Sequence, residues 1–162
     1  MSRELKIGVL GYFHRDGRTR MLKKREDGHY MDGHYVAPGG KREENESLEQ
    51  ALVREVREET GVTPTNYRLT GVLHFPDLGD SPFGAEWLCF VYVFSDYEGE
   101  FFSEGPEGEV VEVESSELAK LKMWPGDEIF TPHVFEAGVF SARFLYRGKQ
   151  LVEHSLSQIS QI

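Results

Sequence analysis

The stretch from Ser47 to Gly61 constrains the fold most, because both ends of a helix are marked in it. Ser47 and Gln50 form a capping-box pair, in which each side chain satisfies a backbone N–H at the start of a helix. Gly61 supplies a left-handed stop, and Pro64 prevents continuation. The sequence therefore predicts one helix from about Ser47 to Thr60 in a chain of 162 residues.

Three glutamates of this helix are predicted to share its inward-facing side. At about 100° per residue, Glu55 and Glu59 fall within about 20° of Leu48, and Glu58 falls beside Ala51. A Glu-rich helix can simply be solvated. Ionised carboxylates near a core boundary, however, repel each other and lose hydration unless a cation or strong hydrogen bonds compensate. The pattern therefore favours a site for Mg²⁺, which prefers oxygen ligands.

Two neighbouring features fit such a site. Arg54 lies one turn before Glu58 and can fix a carboxylate through a bidentate pair. Upstream, Pro38-Gly39-Gly40 leaves the backbone open, so that a carbonyl or amide can approach a metal or phosphate closely. A Gly-Gly pair on its own is equally typical of a plain turn.

Charge and cysteine content exclude several classes of function. The formal net charge of -10 disfavours duplex nucleic acid, whereas a small phosphorylated ligand could bind if cations offset the repulsion. Cys89 is the single cysteine, which excludes an intrachain disulfide and a thiolate zinc cluster and favours the cytoplasm. No apolar run reaches the roughly 20 residues that span a bilayer, and the six histidines lack metal-ligand spacing.

Alternating apolar and polar stretches, separated by turn residues, predict the remaining elements. They are a hairpin of Leu5–Phe13 with Thr19–Lys23, a polar loop over Glu26–Tyr35, strands Arg68–His74, Glu86–Phe94 and Glu109–Val113, a second helix Asp127–Glu136, and a terminal hairpin of Val139–Tyr146 with Gln150–His154. The sequence thus predicts a single α+β domain over residues 1–162, with helices on either side of a mixed sheet.

The first helix and the loop before it match a known signature. The pattern is G-x5-E-x7-R-E-U-x-E-E-x-G-U, where U is a bulky aliphatic residue. It is satisfied by Gly40, Glu46, Arg54, Glu55, Val56, Glu58, Glu59, Gly61 and Val62. The chain therefore resembles the Nudix hydrolase superfamily, and the resemblance implies an α/β/α sandwich with a loop, helix and loop beside a mixed central sheet.

The resemblance also implies roles for the matched residues. The metal ligands would be the Gly40 carbonyl, Glu55, Glu58 and Glu59, binding Mg²⁺ with Mn²⁺ as a substitute. Arg54 would orient a catalytic carboxylate, and Glu46 and Gly61 would support the loop and helix. A metal-activated water would attack one phosphorus of a diphosphate, with a helix glutamate such as Glu58 or Glu55, or a glutamate outside the signature, as general base.

Outside the signature, the chain is most similar to the MutT-like branch, which includes the oxidised purine nucleoside triphosphatases. The shared features are Met21-Leu22-Lys23-Lys24-Arg25, Met123-Trp124-Pro125 followed by Asp127, and a terminal hairpin around Phe140 to Leu156. This likeness implies that Glu107 is a further metal ligand or base. It implies substrate contacts from Lys23, Gly39, Trp124 and Asp127. Each of three residues also has a purely structural interpretation. Glu107 can be a turn residue, Lys23 a solvated lysine on a strand, and Trp124 an ordinary core residue.

Two positions depart from that branch. Val36 stands where the branch carries an asparagine ahead of the Gly-Gly loop, and Gly126 where it carries an aspartate after Trp-Pro. Both of those groups contact the purine edge. The site is therefore expected to read a different base, or oxidised guanine through other groups.

The leading functional hypothesis is a Mg²⁺-dependent nucleoside triphosphate pyrophosphohydrolase of the 8-oxo-dGTP diphosphatase type, which yields a monophosphate and pyrophosphate. One alternative is hydrolysis of a nucleotide sugar or a dinucleoside polyphosphate. Another is a non-catalytic ligand sensor, but such modules usually lose signature glutamates and this chain retains all of them. The expected partner is a small nucleotide, with neither duplex nucleic acid nor membrane, and the protein is expected to be a monomer or homodimer.

Overall fold

The chain forms two β-sheets and two α-helices in the computed structural model, which describes residues 4–26, 28 and 32–159. The strands are β1 Leu5–Phe13, β2 Arg18–Lys24, β3 Tyr35–Val36, β4 Gly39–Lys41, β5 Val62–Phe75, β6 Glu86–Gly99, β7 Glu104–Gly105, β8 Gly108–Glu114, β9 Val139–Arg147 and β10 Gln150–Ile159. The helices are α1 Leu48–Thr60 and α2 Pro125–Val134, with a 3₁₀ helix Ser115–Lys120 before α2.

The larger sheet is mixed, as predicted. Its six strands follow the order β10-β9-β5-β6-β1-β4, and the smaller, four-stranded sheet follows the order β3-β2-β8-β7. The pairs β1–β6 and β5–β9 are parallel, whereas β1–β4, β5–β6 and β9–β10 are antiparallel. The terminal hairpin is confirmed as β9 with β10.

The two helices pack on opposite faces of the six-stranded sheet. Leu52 and Val56 of α1 belong to the same buried cluster as Phe13. Phe130 of α2 belongs to a second cluster with Tyr12, the strand neighbour of Phe13. Successive side chains of a strand point to opposite faces, so these clusters lie on the two sides of the sheet. This arrangement confirms the expected α/β/α sandwich. In the part of the chain that the structure describes, no helix is long and apolar enough to cross a membrane.

The predicted opening hairpin is wrong, although both of its strands exist. β1 pairs with β4 and β6, and β2 pairs with β3 and β8, so the strands belong to different sheets. An isolated bridge between Arg15 and Arg18 joins their ends. The reason is burial: Tyr12 and Phe13 are both buried although they point to opposite faces. A strand buried on both faces belongs inside a sheet, with a neighbour along each edge.

Helix α1 follows the prediction closely. The Ser47 hydroxyl accepts a hydrogen bond from the Gln50 backbone N–H (3.0 Å), and the Gln50 side chain accepts one from the Ser47 N–H (2.8 Å). Gly61 ends the helix with a φ of 89°, a left-handed conformation that glycine adopts without a steric penalty.

Other predicted boundaries shift where backbone irregularities occur. The predicted strand from Arg68 extends back to Val62, because bulges between Pro64 and Tyr67 let β5 bend and continue its pairing with β6. Pro38-Gly39-Gly40 was expected to be a loop, but Gly39–Lys41 pairs with β1. Helix α2 starts at Pro125 and ends at Val134. The predicted polar loop stops before β3, and its residues 27 and 29–31 lie outside the described residues.

Candidate active site

A cavity of about 300 Å³ brings together residues that are far apart in the sequence. Polar groups occur at two places in its wall. The first contains Gly39, Gly40, Glu59 and Lys24, and the second contains Asp127. Apolar side chains make most of the remaining wall, namely those of Val9, Leu10, Val36, Ala37, Leu73, Phe75, Phe83, Trp87 and Trp124.

At the first place, the Gly-Gly backbone lies directly against two carboxylates of α1. The Gly39 N–H donates a hydrogen bond of 3.1 Å to the Glu59 carboxylate. A Cβ atom added to Gly40 would lie 2.6 Å from the Glu55 carboxyl carbon. Glycine at position 40 therefore has a physical reason, because any side chain would displace Glu55.

Burial makes these carboxylates costly to ionise. Only 7% of Glu59 is exposed, and this burial raises the pKa of Glu59 to about 8. This value includes smaller contributions from the nearby charges of Glu55 and Glu107, which raise the pKa, and from the Gly39 N–H and Lys24, which lower it. Burial also raises the pKa of Glu55, against the lowering influence of Arg54. A cation placed between the two carboxylates would remove much of this cost.

Arg54 organises the carboxylates around it. Its Nε and Nη2 donate to the two Glu46 oxygens at 2.7 and 2.9 Å, and its Nη1 donates to Glu55 at 2.8 Å. Nη2 also donates to the Lys41 carbonyl at 3.1 Å. The hydrogen bonds from Arg54 are the main cause that lowers the pKa of Glu46 to about 2. Arg54 thus links the loop before the helix to Glu55.

Glu58 differs from the position predicted for it. Its side chain is 53% exposed, and its carboxylate lies 3.5 Å from Arg54 Nη1. The helical wheel placed Glu58 beside Ala51 on the inward-facing side, and this placement is wrong, because Ala51 is fully buried whereas the Glu58 side chain is turned to solvent. Within the described residues, no three His, Cys, Asp or Glu side chains are already grouped to hold a metal ion. A role for Glu58 as a metal ligand stays a prediction.

The donor set fits a hard divalent cation. Glu55 and Glu59 offer carboxylate oxygens beside the Gly39–Gly40 backbone, and Glu58 follows on the same helix. These are all oxygen donors of the kind that Mg²⁺ and Mn²⁺ prefer.

Glu107 reaches the same region from the turn between β7 and β8. Its carboxylate pairs with Lys24 Nζ at 3.0 Å, and its charge raises the pKa of Glu59. Arg25 fixes the turn by donating to the Pro106 carbonyl at 2.6 Å and to the Gly105 carbonyl at 2.8 Å. The glutamate that the family resemblance singled out therefore lies close to the helix carboxylates.

Lys24, not Lys23, lines the cavity. Successive residues of β2 point to opposite faces, so the two lysines cannot share one wall. A substrate contact from Lys23 stays a prediction, and sequence reasoning missed Lys24. Side chains alternate between the two faces of a strand, so Lys24 can be identified once it is known which face of β2 is turned towards the cavity.

At the second place, Asp127 shares the cavity wall with the aromatic rings of Phe83 and Trp124. The edge of Phe83 meets Trp124, with ring centroids 5.1 Å apart, and His34 stacks on Trp124 at 5.4 Å. Burial raises the pKa of Asp127 to about 7. Trp124 is 3% exposed and belongs to the core, which confirms the interpretation as core filling. It also lines the cavity, and a substrate contact from it stays a prediction.

The two departures from the MutT-like branch have structural consequences. Val36 gives the cavity an apolar wall where the branch has an amide. Gly126 donates its N–H to the Tyr146 hydroxyl at 2.7 Å, and a Cβ there would lie 2.8 Å from that hydroxyl and 3.0 Å from Phe144. A second aspartate at position 126 would therefore clash with the terminal hairpin.

Sequence reasoning also missed Phe83, Trp87 and Cys89, which line the cavity. Trp87 and Cys89 alternate along β6 and so share a face, a pattern that is visible in the sequence. Phe83 lies in a loop without periodicity, and nothing in the sequence signals its position.

Gly40→Ala is expected to weaken divalent metal binding about 10–100-fold, because displacing Glu55 perturbs a ligand that its surroundings position. Titration with Mn²⁺, monitored by electron paramagnetic resonance of the free ion, measures the affinity. In a Glu55→Ala background the same substitution should have little further effect. If Gly40→Ala lowers metal affinity equally in the wild type and in Glu55→Ala, the role of the Gly40–Glu55 contact is contradicted.

Asp127 is expected to make stability depend on pH. Its pKa is about 7 in the folded protein and near 3.8 in an unfolded chain, so the unfolded state loses its proton first as pH rises. The contribution of the protonated group to stability is present below the lower value and is lost as pH rises through about 7. Asp127→Asn should therefore gain stability relative to the wild type as pH rises from about 4 to about 7, by about 1.4 kcal/mol per pH unit, with no further gain at higher pH. Urea unfolding in the presence of a chelator, repeated over this pH range, measures the free energy of unfolding of both proteins. If that free energy changes with pH in the same way in the variant and the wild type, the prediction is contradicted.

Comparison with known proteins decides the family. The model of the NUDIX domain matches residues 3–134. The chain belongs to the Nudix hydrolase family. It is 39% identical over 95 residues to an uncharacterized Nudix hydrolase, YvcI, of Bacillus subtilis, a match that covers 59% of this chain. The matched region spans only 60% of the length of that relative.

Two further relatives of this Nudix protein are matched over most of their length. The oxidized purine nucleoside triphosphate hydrolase of Danio rerio is 28% identical over 144 residues, which is 87% of this chain and 86% of that protein. The crystal structure of a MutT protein from Bacillus halodurans superposes with a TM-score of 0.82 at 28% identity, over 93% of this chain and 97% of that one. The expected resemblance to the MutT-like branch is confirmed.

Proposed function

We propose that this Nudix protein, acting as a single domain over residues 1–162, is a Mg²⁺-dependent nucleoside triphosphate pyrophosphohydrolase of the 8-oxo-dGTP diphosphatase type. The observation that carries the proposal is a single cavity with two different polar places. Buried carboxylates meet an open Gly-Gly backbone at the first, and Asp127 with the aromatic rings of Phe83 and Trp124 marks the second. The first suits the phosphates of a nucleotide, and the second suits its base.

In this proposal, the Gly40 carbonyl, Glu55, Glu58, Glu59 and Glu107 hold Mg²⁺, which Mn²⁺ can replace. When bound, the ion neutralises phosphate charge and lowers the pKa of a water molecule. Glu58 takes the proton of the water that attacks phosphorus, and Arg54 holds Glu55 in place. One water and one nucleoside triphosphate give a monophosphate and pyrophosphate, with breakage of a single P–O–P bond.

Base selection is assigned to the second place in the cavity. Trp124 supplies an aromatic surface, and Asp127 supplies the carboxyl group that faces the base. Burial raises the pKa of Asp127 to about 7, so this group can donate a hydrogen bond as well as accept one near neutral pH. Lys24, which lines the cavity, is proposed to contact phosphate. The Gly39 N–H is a further candidate contact.

The alternative within the same family is hydrolysis of a nucleotide sugar or a dinucleoside polyphosphate. It uses the same carboxylates and differs in what occupies the second place. The partner in both cases is a small nucleotide. A cytoplasmic location, and a monomer or homodimer, stay predictions from the sequence.

A substrate panel tests the proposal. Purified protein is incubated with Mg²⁺ and with canonical and oxidised nucleoside triphosphates, nucleotide sugars and dinucleoside polyphosphates, and kcat/KM is compared together with the products. Pyrophosphate release, abolished by a chelator, is the expected result. Two phosphorylated products from a sugar or dinucleotide substrate would support the alternative. A preparation of the Glu58→Gln variant controls for contaminating phosphatases.

A further inference from the structure

The loop between β5 and β6, residues 76–85, places one aromatic ring in the cavity wall. Phe83 lines the cavity, and its ring meets three others edge-on. The centroid distances are 5.1 Å to Trp124, 5.3 Å to Tyr146 and 5.4 Å to Phe75. Phe83 therefore covers the part of the cavity that the proposed function assigns to the base.

Hydrogen bonds on both sides of Phe83 fix its position. The Ser81 hydroxyl accepts from the Phe83 N–H at 3.1 Å, and the Phe83 carbonyl accepts from the Trp87 indole N–H at 3.1 Å. The start of the loop is closed by the Asp77 carboxylate, which accepts from the Gly79 N–H at 2.9 Å. The Phe83 ring therefore has a fixed position in the cavity wall.

The loop is also tied to the terminal hairpin. The Gly148 N–H donates to the Asp80 carbonyl at 3.1 Å, and Arg147 lies 3.4 Å from the Asp80 carboxylate. The same hairpin supplies Tyr146, against which Phe83 packs. Strand β9 and the turn after it thus support the Phe83 wall from outside the cavity.

We infer that Phe83 limits the size of the base that the cavity accepts, and that it excludes purines with bulky exocyclic substituents. This inference rests on the proposed function. A fixed aromatic edge rejects added atoms by steric overlap, because packed rings supported on three sides cannot move aside cheaply. Even one methylene group changes selectivity by about 10–200-fold in a shaped apolar pocket. A benzyl substituent adds far more volume than a methylene.

Phe83→Ala is the direct test, and Leu78→Ala is its matched control. Leu78 lies in the same loop, is 54% exposed and does not line the cavity. The substrates are unmodified purine nucleoside triphosphates and their N2-, N6- and O6-benzyl derivatives. For Phe83→Ala, kcat/KM for at least one benzyl derivative relative to its parent should rise 10-fold or more. Leu78→Ala should keep the wild-type ratios. A Phe83→Ala protein with unchanged ratios for all derivatives would overturn the inference.

A binding measurement provides a readout without turnover. The two tryptophans of the chain, Trp87 and Trp124, both line the cavity, so a bound nucleotide should quench tryptophan fluorescence. With non-hydrolysable α,β-methylene analogues, Phe83→Ala should bind a benzyl derivative more tightly than the wild type does. If Phe83→Ala binds every benzyl derivative no more tightly than the wild type does, the inference is contradicted.

Two further comparisons keep the outcomes distinct. If Phe83→Ala fails to unfold cooperatively, Phe83→Leu replaces it, because this side chain stays apolar and is smaller than the ring. Phe83→Leu should also raise kcat/KM for a benzyl derivative relative to its parent nucleotide. A folded Phe83→Leu protein with the wild-type value of this ratio would overturn the inference. A wild type that hydrolyses no nucleotide at all would defeat the proposed function instead. An active wild type with unchanged ratios in the variants would defeat only the role of Phe83.

Discussion

Glu58→Gln is expected to lower Mg²⁺-dependent turnover by about 10²–10⁴-fold while the protein stays folded. The amide keeps the size of the side chain but can neither accept the proton of water nor offer a charged oxygen to the metal. The fold should persist, because the Glu58 side chain is 53% exposed and its ion pair with Arg54 is long, at 3.5 Å. Steady-state kinetics with pyrophosphate detection measures the loss.

Glu44→Gln is the matched control for this substitution. Glu44 is exposed and lies just before the helix, so the variant changes net charge equally without touching the carboxylates of α1. Its turnover should equal that of the wild type within a factor of two or so. Unchanged turnover in Glu58→Gln would remove Glu58 from the mechanism.

Arg54→Ala is expected to lower both stability and turnover. Arg54, Glu46 and Glu55 are 18%, 14% and 15% exposed in their side chains, so removing the guanidinium leaves two largely buried carboxylates without their cation. Breaking one partner of such a network costs about 3–5 kcal/mol of unfolding free energy. Turnover should fall as well, because Glu55 loses its orientation. Arg54→Lys should recover only part of both, since an ammonium cannot make the bidentate contact with Glu46.

Chemical denaturation and kinetics together test this role. Arg57→Ala is the control, because Arg57 is exposed on the same helix and has no ion pair within the described residues. Adding Glu46→Gln to Arg54→Ala should restore part of the lost stability, because it removes one uncompensated charge. Equal stability of the Arg54→Ala and Arg57→Ala proteins would contradict the proposed network.

Features set by neighbours in the sequence could be predicted. The capping box of Ser47 with Gln50 and the stop at Gly61 involve residues within one turn of each other, so helix α1 was located almost to the residue. The terminal hairpin is also local, since β9 and β10 are adjacent in the chain. Such contacts need no knowledge of the rest of the fold.

Features set by distant parts of the chain were harder to predict. Pairing of β1 with β6 joins residues about 80 positions apart, which no local pattern reveals, and the opening hairpin was therefore wrong. Which lysine of β2 faces the cavity depends on a different long-range pairing, that of β2 with β8. The position of Phe83 depends on a loop that the terminal hairpin supports.

The location of a bound metal ion tests the central claim most directly. Crystals grown with Mn²⁺ and a non-hydrolysable nucleoside triphosphate, measured at a wavelength where manganese scatters anomalously, give the position of the ion. We expect a peak bounded by the Gly40 carbonyl and the carboxylates of Glu55, Glu58 and Glu59, in contact with phosphate oxygens. An occupied nucleotide site with these glutamates directed into solvent and no ion between them would contradict the account.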